Sequence, residues 1–167
     1  MNGIEIERKY IIEHPGDDWL ISQPGSRKIE IIQTYLTSGT GETRRIRKWD
    51  ENGKESYFKT TKRFISAITR EENEEEISRD EYDSLKQDAN QCLSPIEKTR
   101  WRIPYEGHTL EIDHYVSWWN DRSILEIELN SEEEAFSVPP ELHIIREVTM
   151  DMRYRNSSMA KEMPPRD

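Results

Sequence analysis

Near the start of the chain, Glu5, Glu7 and Lys9 stand two residues apart in the run Ile4-Glu5-Ile6-Glu7-Arg8-Lys9-Tyr10. In a β-strand such residues share a face, so two carboxylates and an ammonium would project together from one rigid element, with Ile4, Ile6 and Tyr10 behind them. Paired carboxylates are ligands for a hard divalent cation, and an ammonium beside them can hold a phosphate that the cation also touches. An edge strand with a solvated charged face would give the same run. Recurrence separates the two readings. Same-face acidic sets reappear as Glu72, Glu74 and Glu76, as Glu111 and Asp113, and as Glu126 and Glu128. Same-face basic sets appear as Arg45 and Arg47, Lys62, Arg70, and Lys98, Arg100 and Arg102.

The elements that must carry these groups are strands. Alternating runs span residues 29–36, 43–49, 57–63, 68–77, 97–105, 110–115 and 124–129, and Asp50-Glu51-Asn52-Gly53 is a hairpin signal. Ser78-Arg79-Asp80-Glu81 predicts a capping box opening a helix through Tyr82, Leu85 and Ala89. Asp17 or Asp18 is expected to cap a short helix through Trp19, Leu20 and Ile21. Ser131 is expected to cap a short acidic helix ended by Pro139-Pro140, and a last short helix is expected around Ser157 to Lys161. The faces opposite the charges are only partly apolar: Arg44 and Lys48 lie opposite Arg45, and Thr99 accompanies Trp101 and Ile103. Closing the strands into a barrel resolves this, because cations and carboxylates then face one another across a channel. Such an interior is costly to desolvate unless it stays wet or holds a ligand, and a polyanion with divalent cations meets that need.

Composition agrees with an ordered protein of unusual interior. Of 167 residues, 33% are hydrophobic and 35% charged, yet 5 Trp and 7 Tyr argue against disorder. A net charge of −10 argues against a protein that coats nucleic acid, so no stable nucleic-acid partner is expected. Cys92 stands alone, which excludes an internal disulfide and points to a reducing, cytoplasmic setting. No apolar run is long enough to span a membrane, and the first ten residues, with Glu5 and Glu7, do not resemble a signal peptide. His14, His108, His114 and His143 lack metal-ligand spacing, and Trp118 and Trp119 read as packing or loop residues rather than a stacking platform. One domain over residues 1–161 is expected, with 162–167 a frayed tail after Pro164-Pro165.

Glu5-Ile6-Glu7-Arg8-Lys9 resembles the ExExK signature of the CYTH superfamily, the triphosphate tunnel metalloenzymes. Arg45-Ile46-Arg47 resembles the family's RxR strand, Thr60-Thr61-Lys62 its T-I-K strand, and Arg70 to Glu76 its RxExExE strand. Lys98-Thr99-Arg100-Trp101-Arg102 resembles the KxRxR strand, Glu111-Ile112-Asp113 and Leu125 to Leu129 the later acidic strands, and Arg146 to Thr149 with Arg153 to Ser158 the closing region. Arg63-Phe64 departs from the Arg-Gly frequent in relatives. The resemblance implies an α+β, mainly β fold: an eight-stranded antiparallel β-barrel tunnel with peripheral helices. It also implies metal-dependent hydrolysis of a triphosphate, with inorganic tripolyphosphate first. Thiamine triphosphatase, class IV-type adenylate cyclase and nucleotide or RNA 5′-triphosphatase are alternatives, as is a non-catalytic polyphosphate- or nucleotide-binding module. In that frame Glu5, Glu7, Glu126 and Glu128 would hold one or two Mg²⁺ or Mn²⁺ ions. Lys9, Arg45, Arg47, Lys62, Arg70, Lys98, Arg100, Arg102 and Lys161 would hold phosphates, with Glu72, Glu74, Glu76 and Asp113 supporting. A homodimer is left open.

Overall fold

The computed structural model describes residues 2–165. Eight antiparallel strands close on themselves: β1 (Asn2–Glu13), β2 (Arg27–Leu36), β3 (Glu42–Glu51), β4 (Lys54–Phe64), β5 (Thr69–Ile77), β6 (Ile96–Tyr105), β7 (His108–Tyr115) and β8 (Arg122–Leu129). Their order around the barrel is β1-β5-β4-β3-β2-β6-β7-β8, returning to β1. The hairpins β3–β4 and β6–β7 turn at Asn52-Gly53 and Glu106-Gly107. All four residues have positive φ (54°, 83°, 47° and 80°), the conformation that a two-residue turn needs to match strand twist. Among the described residues no helix is long and apolar enough to cross a membrane.

A ninth strand, β9 (Ile144–Glu147), was not expected from sequence. It pairs with residues 10–12 of β1, on the edge that β5 leaves beyond Ile6. The gap between β5 and β9 is sewn by individual bonds. Glu7 N donates to Ile68 O at 3.2 Å, Lys9 N to Thr149 Oγ1 at 3.0 Å, and Val148 N to Lys9 O at 2.8 Å. The backbone carrying Glu7 and Lys9 is therefore satisfied on this edge although no strand runs along it.

Among the described residues three α-helices sit outside or at one end: α1 (Asp17–Ser22), α2 (Arg79–Leu85) and α3 (Asn156–Lys161). Ser78 caps α2, its side chain accepting from Glu81 N, as its sequence predicts. The helix gives way to a 3-10 turn at Lys86, and Ala89 instead bridges to Leu36. Gly16, at φ 88°, and not an aspartate, stands at the N-cap of α1; Asp17 and Asp18 fall in its first turn. The acidic helix expected after Ser131 is a turn followed by irregular chain. There the Glu134 carboxylate accepts from Asn130 N and pairs with His108, while Phe136, Val138 and Leu142 lie on the barrel's outer surface. Pro164 is buried and its carbonyl accepts from Trp118 Nε1 at 3.1 Å, while Glu162 and Pro165 are exposed. The tail reading for residues 166 and 167, and the domain's start at Met1, fall outside the described residues.

Apolar packing lies on two levels. Outside the barrel, Tyr10, Ile12, Trp101, Ile103, Leu110, Ile112, Leu125 and Ile127 form one layer with Leu20 of α1, and Leu36, Ile46, Tyr57 and Ile77 form another under Tyr82 of α2. Inside, one end of the lumen is plugged: Ile11, Tyr35, Ile96, Tyr115 and Ile124 pack against Tyr154 and against Met159 and Ala160 of α3. The charged residues occupy the lumen beyond this plug.

Candidate active site

Strand parity directs the charges inward, as the alternation predicts. Two cavities, of about 260 and 300 Å³, run along the lumen and share Glu5, Glu7, Arg45, Lys62 and Asn156. The first is also lined by Lys9 and Arg70, the second by Arg47, Arg100, Arg102, Glu72, Glu74, Glu126 and Glu128. At their junction Lys62 Nζ donates to both oxygens of Glu5, at 2.8 and 3.1 Å, and lies 3.5 Å from Glu72. Lys9 Nζ donates to Tyr154 O at 2.9 Å and sits 3.6 Å from Glu126 and 4.0 Å from Glu7. Arg47 pairs with Glu74, which also accepts from Thr60 Oγ1 at 2.8 Å.

Burial sorts these carboxylates by their neighbours. It pushes Glu5 up, but the Lys62 ammonium outweighs it and holds Glu5 at about 2. Glu126 is likewise buried, and Lys9 and Arg100 hold it well below the usual range. Glu7 goes the other way: burial, then the carboxylates of Glu126 and Glu5, raise it well above its ordinary value. Glu72 is raised to about 7 by burial and by Glu5. Glu128 is also raised, by burial and by Glu5 and Glu111. The lumen thus holds some carboxylates firmly ionised beside others that retain protons near neutrality.

Not every sequence-predicted residue reaches a cavity. Lys98 is sequestered: its side chain has 0% exposure, its Nζ is 2.8 Å from Asp113, and Asn156 and the Tyr115 ring lie beside it. Burial lowers it to about 8. Asp113 also takes two bonds from Arg100, at 2.8 and 2.9 Å, and so acts as an anchor within the wall. Glu76 is exposed and lines neither cavity, because β1 covers β5 only as far as Asn73. Lys161 is exposed at the end of α3, whose Met159 and Ala160 turn inward instead. Arg70 donates to Ser66 O and Thr69 O at the rim of the first cavity. Sequence reasoning passed over Trp49, Arg155 and Asn156. Asn156, which opens α3, reaches both cavities and accepts from Tyr115 Oη at 2.8 Å. Trp49 had a readable signal, since it shares strand parity with Arg45 and Arg47.

The lumen's oxygen donors suit a hard cation. Among the described residues no group of three carboxylate or imidazole side chains is drawn together tightly enough to close a metal site. The carboxylates lean on lysine and arginine instead. Two observations nonetheless fit a cation: Glu126 Oε1 is buried without a hydrogen-bond partner, and ionisation of Glu7 is opposed by its carboxylate neighbours.

A closed antiparallel barrel whose lumen carries paired carboxylates among arginines and lysines defines the class. The chain belongs to the CYTH family: the CYTH domain matches residues 3–159. It is 33% identical over 160 residues to an inorganic triphosphatase of Acetivibrio thermocellus, covering 95% of this chain and 94% of that protein. It is 31% identical over 163 residues to an inorganic triphosphatase of Nitrosomonas europaea, covering 96% and 99%. Among solved structures, that of an inorganic triphosphatase aligns with TM-score 0.59 at 27% identity, covering 96% of this chain and 97% of the other.

Proposed function

We propose that this chain hydrolyses inorganic tripolyphosphate to phosphate and pyrophosphate within the barrel lumen. The observation that carries the reading is the distribution of cations: Lys9, Arg45, Arg47, Lys62, Arg100 and Arg102 line the two joined cavities from four strands. A linear chain of phosphoryl groups offers acceptors on all sides and matches such a surround. The two curated relatives named above are inorganic triphosphatases, which supports the same substrate.

Mg²⁺ or Mn²⁺, as one or two ions held by Glu5, Glu7, Glu126 and Glu128, would supply Lewis-acid polarisation and a more acidic bound water. The chain's own residues do the rest. Arg45, Arg47 and Lys62 hold phosphoryl oxygens and offset the charge that builds as the P–O bond breaks. Substrate competes with Glu5 for the Lys62 ammonium, so binding frees the Glu5 oxygens. Glu72, raised to about 7, is the group suited to accept a proton from the attacking water at a carboxylate oxygen. Phosphate release measured across tripolyphosphate, ATP and thiamine triphosphate, with and without each metal, tests the reading. Tripolyphosphate should show the highest kcat/KM, with no cyclic nucleotide formed. A preference for either organic triphosphate at matched metal sinks it.

A further inference from the structure

Trp49 lies on β3 two residues beyond Arg47, and it lines the larger cavity. Its ring is fixed by neighbours: the Arg47 guanidinium carbon lies 5.3 Å from the ring centroid, and the Phe58 ring packs at 5.1 Å with an interplanar angle of 56°. The Nε1–H on the ring's edge is buried and has no acceptor. Arg45 Nε and Arg47 Nε are also buried without acceptors. Three orphaned donors therefore follow one another at every second residue of a single strand. A buried N–H left unpaired is destabilising, and native structures rarely leave one without a partner. Three in one row, along a cavity, call for an acceptor-rich ligand rather than for a chance packing defect.

We propose that Trp49 binds substrate directly: its Nε1–H donates to an oxygen at one end of the phosphoryl chain, continuing the row begun by Arg45 and Arg47. This rests on the reading of the lumen as a tripolyphosphate site. The indole adds what a further arginine would not, a neutral donor on a rigid ring that needs no counter-charge in the ligand-free barrel. Packed against Arg47 and Phe58, it offers the cavity a hydrogen bond rather than an open face for a base to stack on.

Isothermal titration of tripolyphosphate into the full chain, in EDTA to prevent turnover, measures this contact. Trp49→Phe keeps the ring and its packing but removes the N–H. Its Kd should be about tenfold weaker, the size of one lost hydrogen bond to a charged group, while the ligand-free melting temperature holds or rises. Trp49→His, which returns a ring N–H, should recover part of the loss, and it serves if the phenylalanine variant does not fold. Equal tripolyphosphate affinity in wild type and Trp49→Phe overturns the assignment of Trp49 alone. So does a loss seen only with ATP, which would make the indole a platform for an organic group. Failure of the wild type to bind tripolyphosphate would remove the reading of the lumen, and this contact with it.

Discussion

β3 and β6 both send arginines into the lumen, and cross-strand register gives them opposite surroundings. On β6, Arg100 lies opposite Asp113 and Arg102 opposite Glu111, so each meets a carboxylate on β7. With Lys98 on the same aspartate, this wall neutralises itself, and the Lys98–Asp113 pair has no exposure. On β3, Arg45 lies between Tyr35 and Thr60, and Arg47 between Gln33 and Phe58. Neither has a carboxylate directly opposite, although Arg47 reaches Glu74 on β5; each retains a buried N–H without an acceptor, as does Arg102 at the β6 end. Parity decides which charges face inward; register decides which of them remain available to a ligand.

The largest effect expected from this contrast is on the β6 side. Asp113→Ala would strand Lys98 and part of Arg100 where water does not reach, and should cost about 3–5 kcal/mol of stability in a denaturant titration. A loss below about 1 kcal/mol would mean that the wall does not depend on this anchor. On the β3 side stability and activity should separate. Arg45→Gln removes a buried cation that makes no direct ion pair among the described residues. The ligand-free chain should be no less stable, while kcat/KM for tripolyphosphate falls about a hundredfold. Loss of stability with turnover intact would reverse the comparison.

A smaller effect follows from Glu72. Its folded value is about 7 against an ordinary 4.5, so between these the folded chain keeps a proton that the unfolded chain has released. Stability from this group is thus full below about 4.5 and declines as pH rises through 7. Glu5, held at about 2, has the opposite sign but acts only below about 4.5. The melting temperature of Glu72→Gln relative to wild type should therefore climb from pH 5 to pH 8, and His14, present in both chains, cancels. A constant difference would return Glu72 to an ordinary carboxylate. The smallest effect is expected at Lys161, exposed and outside both cavities: Lys161→Ala should leave stability within about 0.5 kcal/mol and turnover nearly unchanged.

Much of this fold was legible because a strand's period of two is a strong signal when one face is charged. All eight barrel strands are legible as alternating runs, most of them with a charged face, and Asn52-Gly53 marks the β3–β4 hairpin. β9 escaped because Ile144-Ile145-Arg146-Glu147 is short and does not alternate, and because what defines it is β1's vacant edge. The segment after Ser131 reads as a capped acidic helix because Glu132, Glu133 and Glu134 follow a serine. Glu134 instead satisfies Asn130 and His108, and Phe136 and Val138 alternate onto the barrel. In the site, the carboxylates and arginines were visible individually, but the sequestration of Lys98 is a property of register and of Tyr115 and Asn156 closing over it. Trp49 was hidden by chemistry rather than geometry: a search for charge passes over a neutral donor.

The seam on β1 also constrains the order of assembly. Lys9 N finds its acceptor on Thr149, 140 residues along the chain, and Glu7 N finds its own on Ile68. A growing polypeptide makes Glu5, Glu7 and Lys9 before any of their partners: their strand gains β5 some seventy residues later, then β8, and the β9 seam last. Contacts so distant in sequence carry a loop-closure entropy that local hairpins such as β3–β4 and β6–β7 do not. The paired carboxylates are therefore synthesised well before the elements that enclose them. A nascent chain stopped before Ile144 leaves the Lys9 amide without its partner, and the edge of β1 at residues 10–12 uncovered.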